Sequence, residues 1–212
     1  MRKLLGPLIV VVCALLSAYL VLLAMGKPWF WAFQIRQYQK SDRTNPPKEG
    51  GIVFTGSSSI RFWHTLHEDM HPLPVINRGF GGSQISEVIH FAPEIIFPYK
   101  PKAVVLYCGD NDLAWPWSKS PEQVAADFQD FVRVVHAQLP TTRIYYISMK
   151  PSLRRWNNWP REQAANRLIQ DFIATTEGVE YIDIDPVMFD AQGKLRAELF
   201  RWDGPAYERE RI

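Results

Sequence analysis

Residues 51–60 read Gly-Ile-Val-Phe-Thr-Gly-Ser-Ser-Ser-Ile: an apolar, β-rich run, a glycine, then three hydroxyls in succession. Such a run predicts a short buried strand, and in an open α/β sheet the carboxyl end of a strand is where ligands bind. A serine delivered there, beside the amides that open a helix, is exposed and held by the backbone, which suits a nucleophile. The same residues also make an ordinary strand-to-helix turn with a serine N-cap. Ser57, Ser58 and Ser59 must therefore be judged with the rest of the chain.

Two later strand ends carry residues of matching chemistry. Asn77-Arg-Gly79-Phe-Gly81-Gly82-Ser83 follows a second apolar run, and Gly109-Asp-Asn111-Asp112 follows a third. A glycine allows close backbone approach and can present its N–H to an oxyanion, while an asparagine amide offers a second donor. Alone, each block also reads as a turn, with Asn111 as an Asx-turn or cap residue. Asp110, Asp112 and Asp185 are too scattered for a metal site, no His/Cys ligand spacing occurs, and no Gly-x-x-x-x-Gly-Lys loop cradles phosphate. No cofactor is expected. Trp115, Trp117, Trp156 and Trp159 could line an acyl or aryl pocket, or simply pack.

The elements that must position these loops follow from periodicity. Apolar runs recur at Ile52–Phe54, Val75–Ile76, Ala103–Tyr107, Ile144–Ile147 and Val179–Ile184, and helical spacing occupies Glu122–Leu139 and Glu162–Thr176. Strands of near-continuous apolar character alternating with helices predict an α/β fold: a doubly wound sandwich with a parallel sheet of about five strands, covered on both faces. The three loops would then share one sheet edge.

Of the 212 residues 47% are hydrophobic and 13% aromatic, enough for one domain with an appendage. The formal charge of +2, without a basic stripe interleaved with aromatics, argues against nucleic acid as a partner. Leu4–Met25 holds no charged residue behind a basic start, and at helical rise would span about 33 Å, enough for a bilayer core. Trp29, Phe30, Trp31 and Phe33 resemble an interfacial belt. Residues 1–26 are therefore expected to be one transmembrane anchor, with a cleaved signal as the rival, and 27–50 a polar juxtamembrane stalk. Residues 51–212 form the domain, expected on the extracytoplasmic side. Cys13 and Cys108 lie in unlike settings, and no bridge between them is expected.

In this order the blocks resemble the SGNH (GDSL-type) hydrolase family of serine esterases, over about Gly51 to Gly204. Gly56-Ser57-Ser58 stands where Gly-Asp-Ser is typical, Gly79-Phe-Gly81-Gly82 is the glycine block, and Gly109-Asp-Asn111-Asp112 matches Gly-x-Asn-Asp. The resemblance implies that Ser58 is the nucleophile, that its N–H, the Gly81 N–H and the Asn111 amide form the oxyanion hole, and that Asp203 is the triad carboxylate. Ser57 and Ser59 stay as rival nucleophiles. The implied substrate is a small-molecule, lipid or sugar ester.

The fourth block departs from the family. Asp-x-x-His is expected, but the chain reads Asp203-Gly204-Pro205-Ala206, leaving His64, His67, His71, His90 and His136 as the histidines. Permitted codons for residues 203–212, less one base, read Asp-Gly-Leu-His-Met-Asn-Glu-Ser-Gly, the family's own block, so a frameshifted hydrolase lacking its base and last helix is one expectation. A catalytically inactive binding or scaffold domain is the other.

Overall fold

A computed structural model of the chain describes residues 2–25, 27–114 and 118–200, with side chains from Ile9 onward except at Leu22 and Met25. In chain order its elements are α1 (Arg2–Met25), α2 (Pro28–Thr44), β1 (Ile52–Gly56), α3 (Ser58–Arg61), α4 (Leu66–Asp69), β2 (Val75–Gly79), α5 (Ile85–Ile95), β3 (Ala103–Tyr107), α6 (Pro121–Gln138), β4 (Arg143–Ile147), α7 (Trp159–Ile173), β5 (Val179–Ile182) and α8 (Asp185–Met188). The five strands pair in parallel in the order β2-β1-β3-β4-β5.

Strand order and the right-handed crossover rule fix which face each connection covers. The step from β1 to β2 runs one way along the sheet, and every later step runs the other way. The connection holding α3 and α4 therefore lies on one face, and α5, α6 and α7 lie on the other. The two cores obey this division. Val53, Val104, Leu106, Ile144 and Tyr146 point into the larger core with α5, α6 and α7, whereas Phe54, Val105 and Tyr107 point into a smaller core with Ile60 and Leu66. Phe128, Phe131 and Tyr146 are fully buried in the larger core, each worth about 1.5–3 kcal/mol of transfer free energy.

Local signals start the covering helices. Ser120 accepts from the Gln123 N–H while Gln123 Oε1 accepts from the Ser120 N–H, a capping box, and Pro121 opens α6. A second capping box, between Gln84 and Glu87, opens α5. Burial pushes the Glu87 carboxyl up to about 7.

The expectation of a free stalk is corrected here. The polar segment after residue 27 is no free stalk: α2 buries Trp31 and Ile35 in the larger core, sets Trp31 5.7 Å from the Phe80 ring, and joins Asp42 to Arg78 in a buried-side ion pair. Its polar composition belongs to the outer face of an amphipathic helix. The expected transmembrane helix has only partial counterpart: α1 is helical from Arg2 to Met25, but among the described residues no helix is long and apolar enough to cross a membrane. Coverage of both sheet faces is also unequal, since the described helices on the smaller-core side have four residues each. Cys13 is exposed, Cys108 is buried, and both are free thiols, as their settings imply.

Candidate active site

Gly56 ends β1 with φ +121°, and a Cβ there would lie 1.9 Å from the Tyr107 carbonyl oxygen. Only glycine lets the chain leave β1 while staying against β3. The next N–H, of Ser57, donates to that same carbonyl at 2.9 Å. Ser57 is fully buried and its Oγ finds no partner among the described residues. Ser58, the first residue of α3, is partly exposed, as is Ser59, whose hydroxyl hydrogen-bonds the buried Tyr107 phenol. Of the three hydroxyls, burial removes Ser57 and the Tyr107 contact occupies Ser59.

The loop after β2 is laid directly against this turn. The Phe80 N–H donates to the Gly56 carbonyl at 2.9 Å, and a Cβ on Gly79 would meet the Ile60 Cβ at 2.8 Å. A Cβ on Gly81 would stand 3.9 Å from the Ser58 Cβ and 3.2 Å from Arg61 Nη1. Gly81 and Ser58 are thus neighbours across two loops. Asn77 ties the pair further, accepting from the Gly79 N–H at 3.0 Å and donating to the Ile60 carbonyl.

The loop after β3 closes the group. Asn111, 4% exposed, donates from Nδ2 to the Ser83 carbonyl at 3.1 Å and accepts at Oδ1 from Arg155 Nη1 at 3.0 Å. Two independent partners fix which end of the amide is which. One Nδ2 hydrogen is left for a ligand. Asp112 is fully buried, accepting from the Ile85 N–H at 3.3 Å and from Lys119 Nζ at 2.8 Å, so it anchors the loop to α5. Burial pushes its carboxyl up to about 6, with Lys119 opposing.

Behind the loops lies a buried charged layer. Glu162, 1% exposed in the first turn of α7, has its carboxyl pushed up to about 8 by burial and then by the Asp110 charge. Lys150 is equally enclosed, and burial holds its ammonium below the usual lysine range while Asp110 and Glu162 pull the other way. Arg155 bridges this layer to the site, reaching Asp110 at 3.5 Å as well as Asn111. Ser83 closes the glycine block already singled out, but Arg155, Lys150 and Glu162 had no local signature, and Arg155 stands 44 positions from Asn111 and meets it only through the fold.

Asp203, the expected triad carboxylate, lies outside the described residues, as do Trp115 and Trp117. Of the sequence histidines, His136 faces the Thr142 carbonyl and His90 packs on Phe91, whereas His64, packed near Phe62, lines the same cavity as Ser59 and Ile60. Among the described residues none of the five hydrogen-bonds Ser58, and no group of His, Cys, Asp and Glu could hold a metal ion.

This arrangement defines a class: an α/β protein whose ligand site is assembled from three loops at the carboxyl edge of a parallel sheet. Residues 46–203 match the profile of the GDSL-like Lipase/Acylhydrolase family, and the chain belongs to that family. Ester hydrolysis is the activity that goes with it. No curated protein matches the chain. Solved structures do, at the level of fold. A Streptococcus pneumonia protein provisionally described as a platelet activating factor is 18% identical with TM-score 0.73, over 94% of this chain and 92% of that one. A GDSL-like lipase from Bacteroides thetaiotaomicron is 17% identical with TM-score 0.67, over 82% and 89%. A catalytic mutant of an acetylxylan esterase from Geobacillus stearothermophilus is 13% identical with TM-score 0.57, over 76% and 88%.

Proposed function

We propose that the chain is a membrane-tethered carboxylic-ester hydrolase acting through an acyl-enzyme on Ser58, with its turnover depressed because Ala206 stands where a general base belongs. The observation that carries this is the placement of a partly exposed Ser58 beside Gly81, with the Asn111 amide locked by Ser83 and Arg155 in the adjoining loop. Ser58 Oγ attacks the ester carbonyl carbon. The oxygen that gains charge accepts from the N–H groups of Ser58 and Gly81 and from Asn111 Nδ2. Collapse of that intermediate expels the alcohol, and water then releases the acid from the serine ester.

The proton on Ser58 needs an acceptor, and the Asp203-Gly204-Pro205-Ala206 block supplies a carboxylate without a histidine. Removing the base of a serine hydrolase costs about 10⁶-fold in turnover. That deficit supports a second reading, a domain that binds esters at the same cleft without hydrolysing them. Hydrolysis of a short-chain nitrophenyl ester by the full chain separates the two. Turnover that Ser58→Ala abolishes supports the hydrolase, and saturable ester binding with no turnover above the buffer rate supports the binding domain.

Membrane tethering is supported by the charge-free stretch Leu4–Met25 and by α1, whose Ile9, Leu15 and Leu20 side chains are more than half exposed. By analogy with single signal anchors the hydrolase domain faces the extracytoplasmic side. Fractionation tests it: the full chain should stay with membranes through an alkaline carbonate wash, and release into the wash contradicts the tether.

A further inference from the structure

Trp31, Ile35, Tyr38 and Asp42 follow one another at steps of four, three and four, the spacing of a single helix face, and α2 turns that face toward the domain. Trp29 and Phe33, 67% and 66% exposed, lie on the opposite face. What the inward face meets is Arg78-Gly79-Phe80, the three residues before Gly81. The Trp31 ring is 5.7 Å from the Phe80 ring, the Tyr38 hydroxyl donates to the Gly79 carbonyl, and Asp42 pairs with Arg78. Three turns of one helix thus grip three consecutive residues of one loop.

The place gripped is one the sheet holds from a single side. β2 ends the strand order and is bonded to β1 alone, and the end of such a strand opens locally at low cost unless something else secures it. Here the peptide group joining Gly79 to Phe80 is bonded at both ends. Its carbonyl accepts from Tyr38, and its N–H donates to the Gly56 carbonyl at 2.9 Å. The Phe80 side chain is fully buried against the Trp31 ring and, at 5.9 Å, the Phe91 ring. The next peptide group carries the Gly81 N–H, and its own carbonyl, on Phe80, accepts from the Ser83 N–H at 3.4 Å. With one peptide plane and one side chain fixed, little freedom remains at Phe80, so the Gly81 N–H keeps a set direction.

Arg78 fastens the helix to the same strand end. Its Nη2 pairs with Asp42, its Nε donates to the Tyr99 hydroxyl at 2.7 Å, and Tyr99 donates on to the other Asp42 oxygen at 2.6 Å, which closes a ring of partners. The guanidinium also lies 5.0 Å from the Tyr38 ring and 4.9 Å from the Tyr99 ring. Burial pushes the Tyr99 phenol up to about 12 and raises Tyr38 as well, so each keeps the proton it donates. We infer that α2 is the brace of the oxyanion loop, with Tyr38 a positioning residue that fixes the Gly81 N–H through the Gly79 carbonyl without touching substrate. The role rests on the hydrolase reading, in which Gly81 is an oxyanion donor.

Tyr38→Phe, made in the full chain and studied in detergent, removes the hydroxyl and keeps the ring beside Arg78. Hydrogen exchange of the amides at 79–83 should quicken about fivefold, the worth of one net hydrogen bond, while the amides of β1 and β3 keep the parent's rates. For a nitrophenyl ester kcat should fall about tenfold with little change in KM, part of what losing an oxyanion donor costs. Asp42→Asn, which weakens the pair to Arg78, should shift both readouts the same way. Phe33→Ala, on the outward face of α2, should shift neither. Unchanged exchange at 79–83 in both Tyr38→Phe and Asp42→Asn overturns the inference, as does quickening spread over the whole sheet, or faster exchange with kcat intact. A parent whose turnover Ser58→Ala leaves untouched brings down the hydrolase reading instead, and the exchange rates at 79–83 then decide alone whether α2 holds the loop.

Discussion

Arg155 Nη1 donates to Asn111 Oδ1 at 3.0 Å, while Asn111 Nδ2 donates to the Ser83 carbonyl at 3.1 Å. The amide is held from both ends by groups that are not themselves aimed at the substrate, and its remaining hydrogen is presented in a fixed direction. Asn111→Ala should lower kcat for a nitrophenyl ester on the order of 10²- to 10³-fold with little change in KM. Arg155→Ala should act more weakly in the same direction, and Arg155→Lys should recover part of the loss. Steady-state kinetics of the three variants checks this. A pure KM effect contradicts the positioning role.

Two glycines at the site should respond oppositely to a methyl group. At Gly56 the new Cβ would fall 1.9 Å from the backbone oxygen of Tyr107, with φ at +121°, so Gly56→Ala should cost several kcal/mol or prevent folding. At Gly81 the nearest atoms are the flexible Arg61 guanidinium at 3.2 Å and the Ser58 Cβ at 3.9 Å. Gly81→Ala should therefore melt within about 1 kcal/mol of the parent while ester turnover drops. Thermal denaturation and kinetics of the two variants, side by side, separate a structural glycine from a site glycine.

Ala206 occupies the place of the general base in the Asp-x-x-His block. General acid–base assistance contributes about 10² to 10⁴ in rate. The double change Pro205→Leu with Ala206→His should raise kcat toward that range, with the gain following titration of a group near the histidine value and vanishing in the added presence of Ser58→Ala. Sequencing the gene at codon 205 is the companion check: codons unable to give Leu-His after a one-base shift refute the frameshift origin.

Glu162 should make stability depend on pH. Its folded carboxyl titrates near 8, above the ordinary value of 4.5, because burial disfavours the charge. Below about pH 4.5 both folded and unfolded chains hold the proton and the group is neutral in its effect. As pH rises toward 8 the unfolded state releases the proton first, so stability falls across that window and levels off above it. Glu162→Gln removes the dependence. Its melting temperature should exceed the parent's at pH 8, by the equivalent of a few kcal/mol, and match it near pH 4.5. Parallel melting curves at the two pH values measure this, and an equal difference at both contradicts it.

The strands and the serine turn were legible because their signals are local: apolar runs of β-rich residues, and glycine at the points where the chain turns. Helix α2 was not, since Trp31 and Ile35 are four positions apart in a polar context and the Asp42–Arg78 pair joins residues 36 apart. Helix α5 hides its start in a Gln84–Glu87 capping box and carries Pro93 inside. Within the site, Ser58, Gly81, Ser83 and Asn111 stood in the named blocks, but Arg155, which holds the other end of the Asn111 amide, did not, because it is a basic residue like many others until the fold brings it to Asp110. The unequal covering of the two sheet faces is likewise a property of strand order, which no single segment encodes.

The central claim is that Ser58, and neither hydroxyl beside it, is the nucleophile facing the Gly81 and Asn111 donors. Incubation of the full chain with a fluorophosphonate, followed by peptide mass spectrometry across residues 51–61, tests it most directly. The account predicts a single phosphonyl adduct on Ser58 that forms slowly in the parent and faster in the Pro205→Leu, Ala206→His chain. An adduct on Ser57 or Ser59, or equal labelling of Ser58→Ala, would contradict it.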